Sequence, residues 1–281
     1  MIAYKSPAKL NIFLDIVSKR EDSYHNIISL MVKIGFFDIV EVSVFDQDKV
    51  LLNVEGDAPA DSENICCKAA DLMKKKFGIK KGIAINLKKS IPMQSGLGGG
   101  SSNAACVIKS INDIFALGLS SSELIMLGSG LGSDVPFFIE ESNWAVVEGR
   151  GEILRPLKTP FIFSAVVILP EYRHRTADLY SRWKPSLTQD KRWDKIRFCS
   201  ADEIDMNFIK QFSYNVFEEV SNSRLISKLK KDISDFGADL VNMTGSGSAL
   251  YAVSSDIAVL KNIKSRFEAL NYKTFLVESL K

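Results

Sequence analysis

The chain of 281 residues is poor in the side chains that build metal centres and disulfide frameworks, with two histidines and four cysteines. None of the cysteines has metal-ligand spacing: Cys66 and Cys67 are adjacent, and Cys106 falls in a predicted helix. Two histidines are too few for a histidine-based metal site. Free thiols suit a reducing compartment, so we expect a cytoplasmic protein. We also expect no metal site built from cysteine or histidine side chains.

An excess of charge and long apolar runs are missing as well. The 36 basic and 34 acidic residues give a net charge of +2, which does not favour nucleic acid or an anionic membrane as partner. We expect no membrane span and no signal peptide, because no apolar run is long enough and Lys5 and Lys9 interrupt the N-terminal segment.

The length of the chain is sufficient for two modest domains, each with its own core. The hydrophobic fraction of 46% and the charged fraction of 25% are those of an ordinary globular protein. A strongly apolar segment covers residues 161–169. We place the boundary just before it, which predicts domains 1–158 and 159–281.

What the chain has in abundance is glycine just before a predicted helix. Four of the residues from 96 to 100 are glycine, and Ser101 and Ser102 follow. A glycine cluster costs entropy and indicates close backbone approach to a bulky group. The unpaired N–H groups and the dipole of the helix favour an anion, most naturally nucleotide phosphates; a flexible turn without a ligand is the alternative. The segment is neither a Walker A motif nor a dinucleotide fingerprint, because Ser101 stands where a lysine or a third glycine would be needed.

Periodicity of apolar residues predicts an α+β protein. A capping box is predicted at Ser120 and Glu123, and residues 172–199 are predicted as a long loop or two short helices. The predicted strands cover 1–16 with a break at 6–9, 26–34, 39–45, 50–54, 83–87, 144–148, 152–157, 161–169, 239–244, 249–253 and 274–280. The predicted helices cover 65–77, 101–115, 120–131, 222–236 and 256–270.

Three further features could carry chemistry, and each also has a simple structural explanation. Lys9 lies in a polar break of an apolar strand, where it could be an exposed edge lysine. Asp134 precedes Val135 and Pro136, a position typical of a helix cap or turn. The glycine-rich turn 244–248 could be a plain hairpin. Taken singly, none of the three decides the function.

Taken together, residues 6–11, 92–102 and 244–249 resemble the three motifs of the GHMP kinases in order and spacing. The middle motif, P-x-x-x-G-L-G-G-G-S-S, is highly specific, and the resemblance spans nearly the whole chain. The family implies a two-domain α+β fold. Its N-terminal domain is similar to domain 2 of ribosomal protein S5, its C-terminal domain is ferredoxin-like, and the active site lies in the cleft between them.

The resemblance implies transfer of the ATP γ-phosphoryl group to an alcohol, with Mg²⁺. Asp134 matches the catalytic aspartate that accepts the hydroxyl proton, and Lys9 matches the lysine that holds it and the attacking oxygen in register. Ser101 or Ser102 would contact the β-phosphate or Mg²⁺. The residues implied to bind ATP are Pro92, Met93, Gln94, Ser95, Gly96, Leu97, Gly98, Gly99, Gly100, Ser101 and Ser102, with Asn64 and Lys89 near the adenine.

Within the family, residues 6–11, 20–25 and 131–137 favour the branch whose acceptor is a cytidine diphosphate-linked methylerythritol of the non-mevalonate isoprenoid pathway. The resemblance implies that Asn11, Tyr24 and His25 meet the cytidine and that Tyr180 stacks on the base. The family usually has glycine where this chain has Ser23, and often where it has Gln94 and Ser95. These departures change the freedom of the backbone but remove no side chain that the chemistry needs.

Two alternatives remain open at this stage. One is another GHMP small-molecule kinase, of the phosphomevalonate or homoserine type, against which Tyr24 and His25 argue. The other is a non-enzymatic RNA-binding protein that uses the half similar to ribosomal protein S5. The near-neutral charge and the lack of a basic face in residues 1–160 argue against that alternative.

Overall fold

The computed structural model describes residues 1–171, 176–188 and 192–281, and it confirms the α+β class. The strands are β1 (Ile2–Lys19), β2 (His25–Phe45), β3 (Val50–Glu55), β4 (Gly82–Lys88), β5 (Trp144–Gly149), β6 (Ile153–Leu157), β7 (Ser164–Leu169), β8 (Tyr214–Asn215), β9 (Leu240–Met243), β10 (Leu250–Val253) and β11 (Lys273–Glu278). The helices are α1 (Ile65–Phe77), α2 (Gly99–Ile114), α3 (Ser121–Ser129), α4 (Val135–Ile139), α5 (Thr176–Arg182), α6 (Trp193–Phe198), α7 (Met206–Phe212), α8 (Val216–Ser221), α9 (Arg224–Ser234) and α10 (Ile257–Ala269).

The chain forms two compact units. Unit 1 consists of Met1–Ala8, Phe36–Met93 and Gly98–Glu141, and unit 2 consists of Lys9–Gly35, Gln94–Leu97 and Ser142–Lys281. The long strands β1 and β2 therefore contribute residues to both units. The expected boundary between residues 158 and 159 stays a prediction.

Unit 1 combines strands in the order β3-β4-β2 with helices α1 to α4. Strand β2 pairs antiparallel with β4 from Ile39 opposite Lys88 onward, and β3 pairs parallel with β4. Alternation explains this part of β2, since Val40 and Val42 are fully buried. The predicted capping box is confirmed at the start of α3, where the Ser120 and Glu123 side chains each bond the other's backbone N–H.

Unit 2 contains a four-stranded antiparallel sheet in the order β11-β7-β10-β9. With α9 after β7 and α10 after β10, the elements follow a βαββαβ path with strand order 4-1-3-2, which is the predicted ferredoxin-like arrangement. Helix α9 buries Ile226, Leu229 and Ile233, as its periodicity predicted. Leu225, predicted for the same face, is 41% exposed.

Several predicted boundaries were wrong in the N-terminal third. Strand β1 has no break at residues 6–9, and the two segments predicted at 26–34 and 39–45 form the single strand β2. The polar residues that suggested a break are inside: Ser6 is fully buried and Lys9 is 2% exposed. Their polar atoms bond to other protein groups, so burial does not require an end to the strand.

The segment predicted as a loop or two short helices contains α5, a 3₁₀ turn at Pro185–Leu187 and α6. Residues 172–175 and 189–191 of that prediction lie outside the described residues. In the described parts of the chain, no helix combines the length and apolar character needed to cross a membrane.

Candidate active site

The phosphate-loop candidate in unit 1 is the start of α2. Gly98 is the N-cap residue with φ +73°, in the left-handed region that glycine adopts without strain, and no side chain caps the helix. Helix α2 buries Ala104, Val107 and Ile111, which anchors it in the core. Its first N–H groups and the positive end of its dipole therefore form the anion-binding feature that the sequence predicted.

The two serines at this helix start differ in what they can reach. Ser102 is fully buried, and its Oγ accepts a hydrogen bond of 2.7 Å from the Ser6 hydroxyl. Asn103 donates to the same Ser6 oxygen over 2.9 Å. Ser101 is only partly buried. The Ser101 hydroxyl is therefore the more accessible of the two, and contact of either serine with a phosphate stays a prediction.

Asp38 is a residue of this site that sequence reasoning missed. Its fully buried carboxylate accepts hydrogen bonds from Ser90 N at 2.7 Å, Ile91 N at 2.8 Å, Lys89 Nζ at 2.6 Å and Asn103 Nδ2 at 2.9 Å. It thereby ties the segment before the glycine loop to helix α2. A lone aspartate between the apolar parts of β2 was the available signal, because a charge in a buried strand needs a partner.

Lys89 and Asn64, the residues predicted near the adenine, both have internal partners. The Lys89 side chain is 4% exposed and bonds Asp38 and the Ile91 carbonyl oxygen. Asn64 is the N-cap of α1: its Oδ1 accepts from Cys66 N at 2.9 Å, and its Nδ2 donates to the Pro59 carbonyl at 2.7 Å. Contact of either side chain with adenine stays a prediction.

Asp134 occupies the N-cap position of α4, and a proline follows in the first turn. Its side chain makes no capping hydrogen bond, so the simple explanation of this aspartate as a helix cap does not account for it. It is partly exposed. Its assignment as the proton acceptor stays a prediction.

Unit 2 brings together parts of all three motifs. Lys9 N donates to the Leu97 carbonyl at 2.9 Å, and Ala249 N donates to the Ser95 carbonyl at 3.2 Å. Gly96 has φ +82°, and a Cβ there would lie 2.1 Å from the Thr244 carbonyl oxygen. Gly96 is therefore required by close packing of the glycine loop on the second glycine-rich turn.

Asn11 lies at the centre of the motif junction, the place where Lys9, residues 95–97 and the 244–249 segment contact one another. Its Oδ1 accepts hydrogen bonds from Gly245 N at 2.8 Å, from Thr244 Oγ1 at 3.2 Å and from Lys9 Nζ. Its Nδ2 donates to Ser29 Oγ at 2.9 Å. Asn11 is 1% exposed, so the structure places it among the supports of the motif junction; its predicted contact with cytidine is untested.

The remaining predicted substrate residues lie near the start of β2. The rings of His25 and Tyr180 are stacked with centroids 5.0 Å apart, and Trp183 meets His25 edge-on at 5.5 Å. Phe217 packs edge-on against Tyr180 at 4.9 Å. Trp183, with few signals around it in the sequence, is thus part of this aromatic cluster. Tyr24 is 51% exposed.

The charge state of His25 follows from its surroundings. Burial, and secondarily the charge of Lys19, lower the pKa of His25 below its ordinary value of 6.5. The neutral form of the imidazole is therefore favoured at pH 7. A neutral imidazole donates from one ring nitrogen and accepts at the other, which suits the mixed donor and acceptor edge of cytosine.

Backbone strain marks two of the positions at which the chain departs from the GHMP pattern. Ser23 has φ +69° and Gln94 has φ +53°, both in the left-handed region. The chain thus keeps, with non-glycine residues, the conformation that glycine adopts easily.

Comparison with known proteins agrees with the motifs. A family model described as the GHMP kinases N terminal domain matches residues 64–141. A 4-diphosphocytidyl-2-C-methyl-D-erythritol kinase of Shouchella clausii is 34% identical over 89% of this chain and 84% of its own length. A crystal structure of 4-(cytidine 5'-diphospho)-2C-methyl-D-erythritol kinase has a TM-score of 0.80 and 26% identity over all of both chains. A homoserine kinase from Cytophaga hutchinsonii, with TM-score 0.75, 20% identity and coverage of 99% and 94%, shares the fold.

Proposed function

Because the chain belongs to the family of 4-diphosphocytidyl-2-C-methyl-D-erythritol kinases, a branch of the GHMP kinases, we infer that it phosphorylates the 2-hydroxyl of 4-diphosphocytidyl-2-C-methyl-D-erythritol with ATP. This reaction belongs to the non-mevalonate route to isoprenoid precursors. Similarity to relatives of that activity over 89% of the chain is the observation that carries the inference. The contact between the glycine loop, residues 9–11 and the 244–248 turn supports it.

Phosphoryl transfer needs positioning and charge neutralisation more than covalent help from the protein. In our proposal, the N–H groups at the start of α2 and the loop from Pro92 to Ser102 hold the ATP phosphates. Ser101 contacts the β-phosphate, since Ser102 is buried against Ser6. Asn64 and Lys89 lie beside the adenine in this proposal.

Asp134 is proposed to accept the proton of the attacking hydroxyl group. Its carboxylate is partly exposed, so a hydroxyl group of a bound substrate can reach it. Lys9 is proposed to stabilise the developing alkoxide electrostatically. Its amine is held by Asn11, whose other hydrogen bonds fix it to the second glycine-rich turn.

Mg²⁺ prefers oxygen ligands and usually combines one or two protein groups with substrate phosphates and water. The described residues include no group of three or more histidines, cysteines, aspartates or glutamates that could hold a metal alone. The donor set fits an ion bound mainly through ATP, with the Ser101 hydroxyl as a protein oxygen. When bound, the ion would neutralise charge on the phosphates.

The cytidine end of the substrate is assigned to Tyr24, His25 and Tyr180, and Asn11 holds the Thr244 hydroxyl and the Gly245 N–H of the second glycine-rich turn. Aromatic faces bind bases with about 1–3 kcal/mol each.

A cytoplasmic location is also proposed. All four cysteines are free and buried, and burial raises the pKa of the Cys66 thiol, which keeps it unreactive.

A coupled ADP-release assay tests the proposal with four acceptors: 4-diphosphocytidyl-2-C-methyl-D-erythritol, mevalonate, phosphomevalonate and homoserine. We expect turnover with the cytidine-linked alcohol alone. Faster turnover with one of the other acceptors would contradict the assigned substrate and leave only the GHMP kinase family. The same assay without Mg²⁺, in the presence of a chelator, should show no activity.

A further inference from the structure

The guanidinium group of Arg150 lies over the ring of Tyr24, with its central carbon 3.9 Å from the ring centroid. A planar guanidinium at this distance stacks on an aromatic face. Tyr24 is 51% exposed, whereas Arg150 is partly buried. In the sequence, residues 149–151 only separate two predicted strands.

The position of Arg150 is determined by strand pairing. Strand β5 pairs antiparallel with β2, and the last pair is Ile27 opposite Gly149, so the turn after β5 lies beside the start of β2. Gly149 and Gly151 have φ values of +71° and +127°. The Glu152 carboxylate accepts from Arg150 N at 2.6 Å. The backbone of the turn is therefore fixed without help from the Arg150 side chain.

The backbone of Tyr24 is fixed as well. Arg20 N donates to the Tyr24 carbonyl at 2.8 Å, and Tyr24 N donates to Asp22 Oδ1 at 3.1 Å. Neither bond restrains the exposed ring. The described contact that does restrain it is the stack with Arg150.

We propose that Arg150 is a positioning residue that covers one face of Tyr24 and holds the opposite face ready to stack on the cytosine of the substrate. The proposal rests on the assignment of Tyr24 to the cytidine site. An aromatic ring has two faces, so the stack with Arg150 leaves one available. A ring that is ordered before the ligand arrives loses less conformational entropy on binding, which increases affinity.

Calorimetric titration of the full chain with cytidine 5'-monophosphate and cytidine 5'-diphosphate tests the proposal. Arg150→Ala should weaken both nucleotides by the same factor, about two- to fivefold for an exposed cation–aromatic contact. The affinity for ATP should not change. Lys158→Ala, which removes an exposed cation just after β6, is the matched control and should bind all three ligands as the wild type does.

Two further variants separate stacking from charge. Arg150→Lys keeps the charge without the planar group. We therefore expect it to weaken binding of the cytidine nucleotides almost as much as Arg150→Ala does. Tyr24→Ala combined with Arg150→Ala should bind no more weakly than Tyr24→Ala alone, because Arg150 acts through Tyr24.

A larger loss for the diphosphate than for the monophosphate would overturn the proposal, since Arg150 would then act on the phosphates. Additive losses in the double variant would also overturn it. Unchanged cytidine nucleotide binding by Arg150→Ala, in a protein whose wild type binds them, refutes this inference alone. A wild type that binds neither nucleotide refutes the assigned cytidine site itself.

Discussion

At the scale of single residues, Asp38 and Lys89 show how a buried ion pair can support a loop that binds anions. Asp38 accepts four hydrogen bonds and so uses the acceptor capacity of both carboxylate oxygens. Lys89 in turn bonds the Ile91 carbonyl. A change at either residue leaves the other charge buried without its partner, and this costs more than the pair contributes.

Asp38→Asn should therefore destabilise the protein by about 3–5 kcal/mol, the usual penalty for breaking a buried pair. Denaturant unfolding of the variant measures this loss. The double variant Asp38→Asn with Lys89→Met removes both charges, so its loss should be smaller than that of Asp38→Asn alone. A larger loss in the double variant would show that the cost of Asp38→Asn does not come from leaving the Lys89 charge buried without its partner.

Asp134→Asn keeps the shape of the side chain and removes the proton acceptor. Turnover should fall by at least about a hundredfold, as is typical for loss of a general base, while ATP still binds. Rapid-quench kinetics of a single turnover, together with calorimetry for ATP, checks both parts. Retention of a tenth of the wild-type rate in the chemical step would remove Asp134 from this role.

His25→Ala should weaken the cytidine substrate by about 1–3 kcal/mol, because buried base edges are left unpaired, and should leave ATP affinity unchanged. Michaelis constants for both substrates measure this. A rise for ATP alone, or for neither substrate, would remove His25 from the cytidine site.

The same variant tests the pKa of His25. Because the folded-state pKa lies below 6.5, the unfolded chain binds the proton more readily as the pH falls through 6.5. The wild type should therefore lose free energy of unfolding from pH 6.5 down to the folded-state pKa. His25→Ala should lack this part of the pH dependence.

At the scale of elements, the glycine loop contains glycines that are required for different reasons. A Cβ at Gly99 would lie 2.8 Å from both Lys89 Nζ and Ile91 Cγ2, so the protein's own packing excludes a side chain there. Gly100 is exposed, and the nearest atom to its added Cβ is Ile65 Cγ2 at 3.7 Å. The sequence motif predicted the same role for these adjacent glycines, because their different packing depends on residues that come close only in the folded chain.

Gly100→Ala should therefore fold as well as the wild type, and even gain up to about 1 kcal/mol of helix propensity, while ATP binds more weakly. Gly99→Ala should instead lose stability through the contacts with Lys89 and Ile91. Thermal unfolding and ATP calorimetry on both variants separate the two effects. Unchanged ATP affinity in Gly100→Ala would mean that no phosphate approaches the backbone at that residue.

At the scale of the whole molecule, the sequence predicted the elements better than their association. The strands and helices of the ferredoxin-like unit were predictable from apolar periodicity, whereas their arrangement in space was expected only from the resemblance of the three motifs to the GHMP kinases. The role of Asn11 was not predictable, since its partners Thr244 and Gly245 are more than 230 residues away. Nor did local patterns show that β1 and β2 each contribute to two compact units.

The composition of unit 2 leads to a prediction about the expected boundary at residue 158. The core cluster of the ferredoxin-like sheet includes Leu14, Ile16 and Ile27, which a fragment 159–281 lacks. The fragment also lacks the partner of β8, because Phe13 and Leu14 pair with it. Full burial of each of the three side chains is worth about 1.5–3 kcal/mol, and a domain has only about 5–15 kcal/mol of stability in total.

The fragment 159–281 should therefore not unfold cooperatively when produced alone, and it should bind a dye that detects exposed apolar surface. Co-expression with a fragment 1–158 should restore a cooperative thermal transition, because Leu14, Ile16 and Ile27 return to the cluster. Circular dichroism melting of the single and paired fragments makes the comparison. A fragment 159–281 that melts alone as sharply as the full chain would instead establish residues 159–281 as an autonomous domain, since its core would then be complete without β1 and β2.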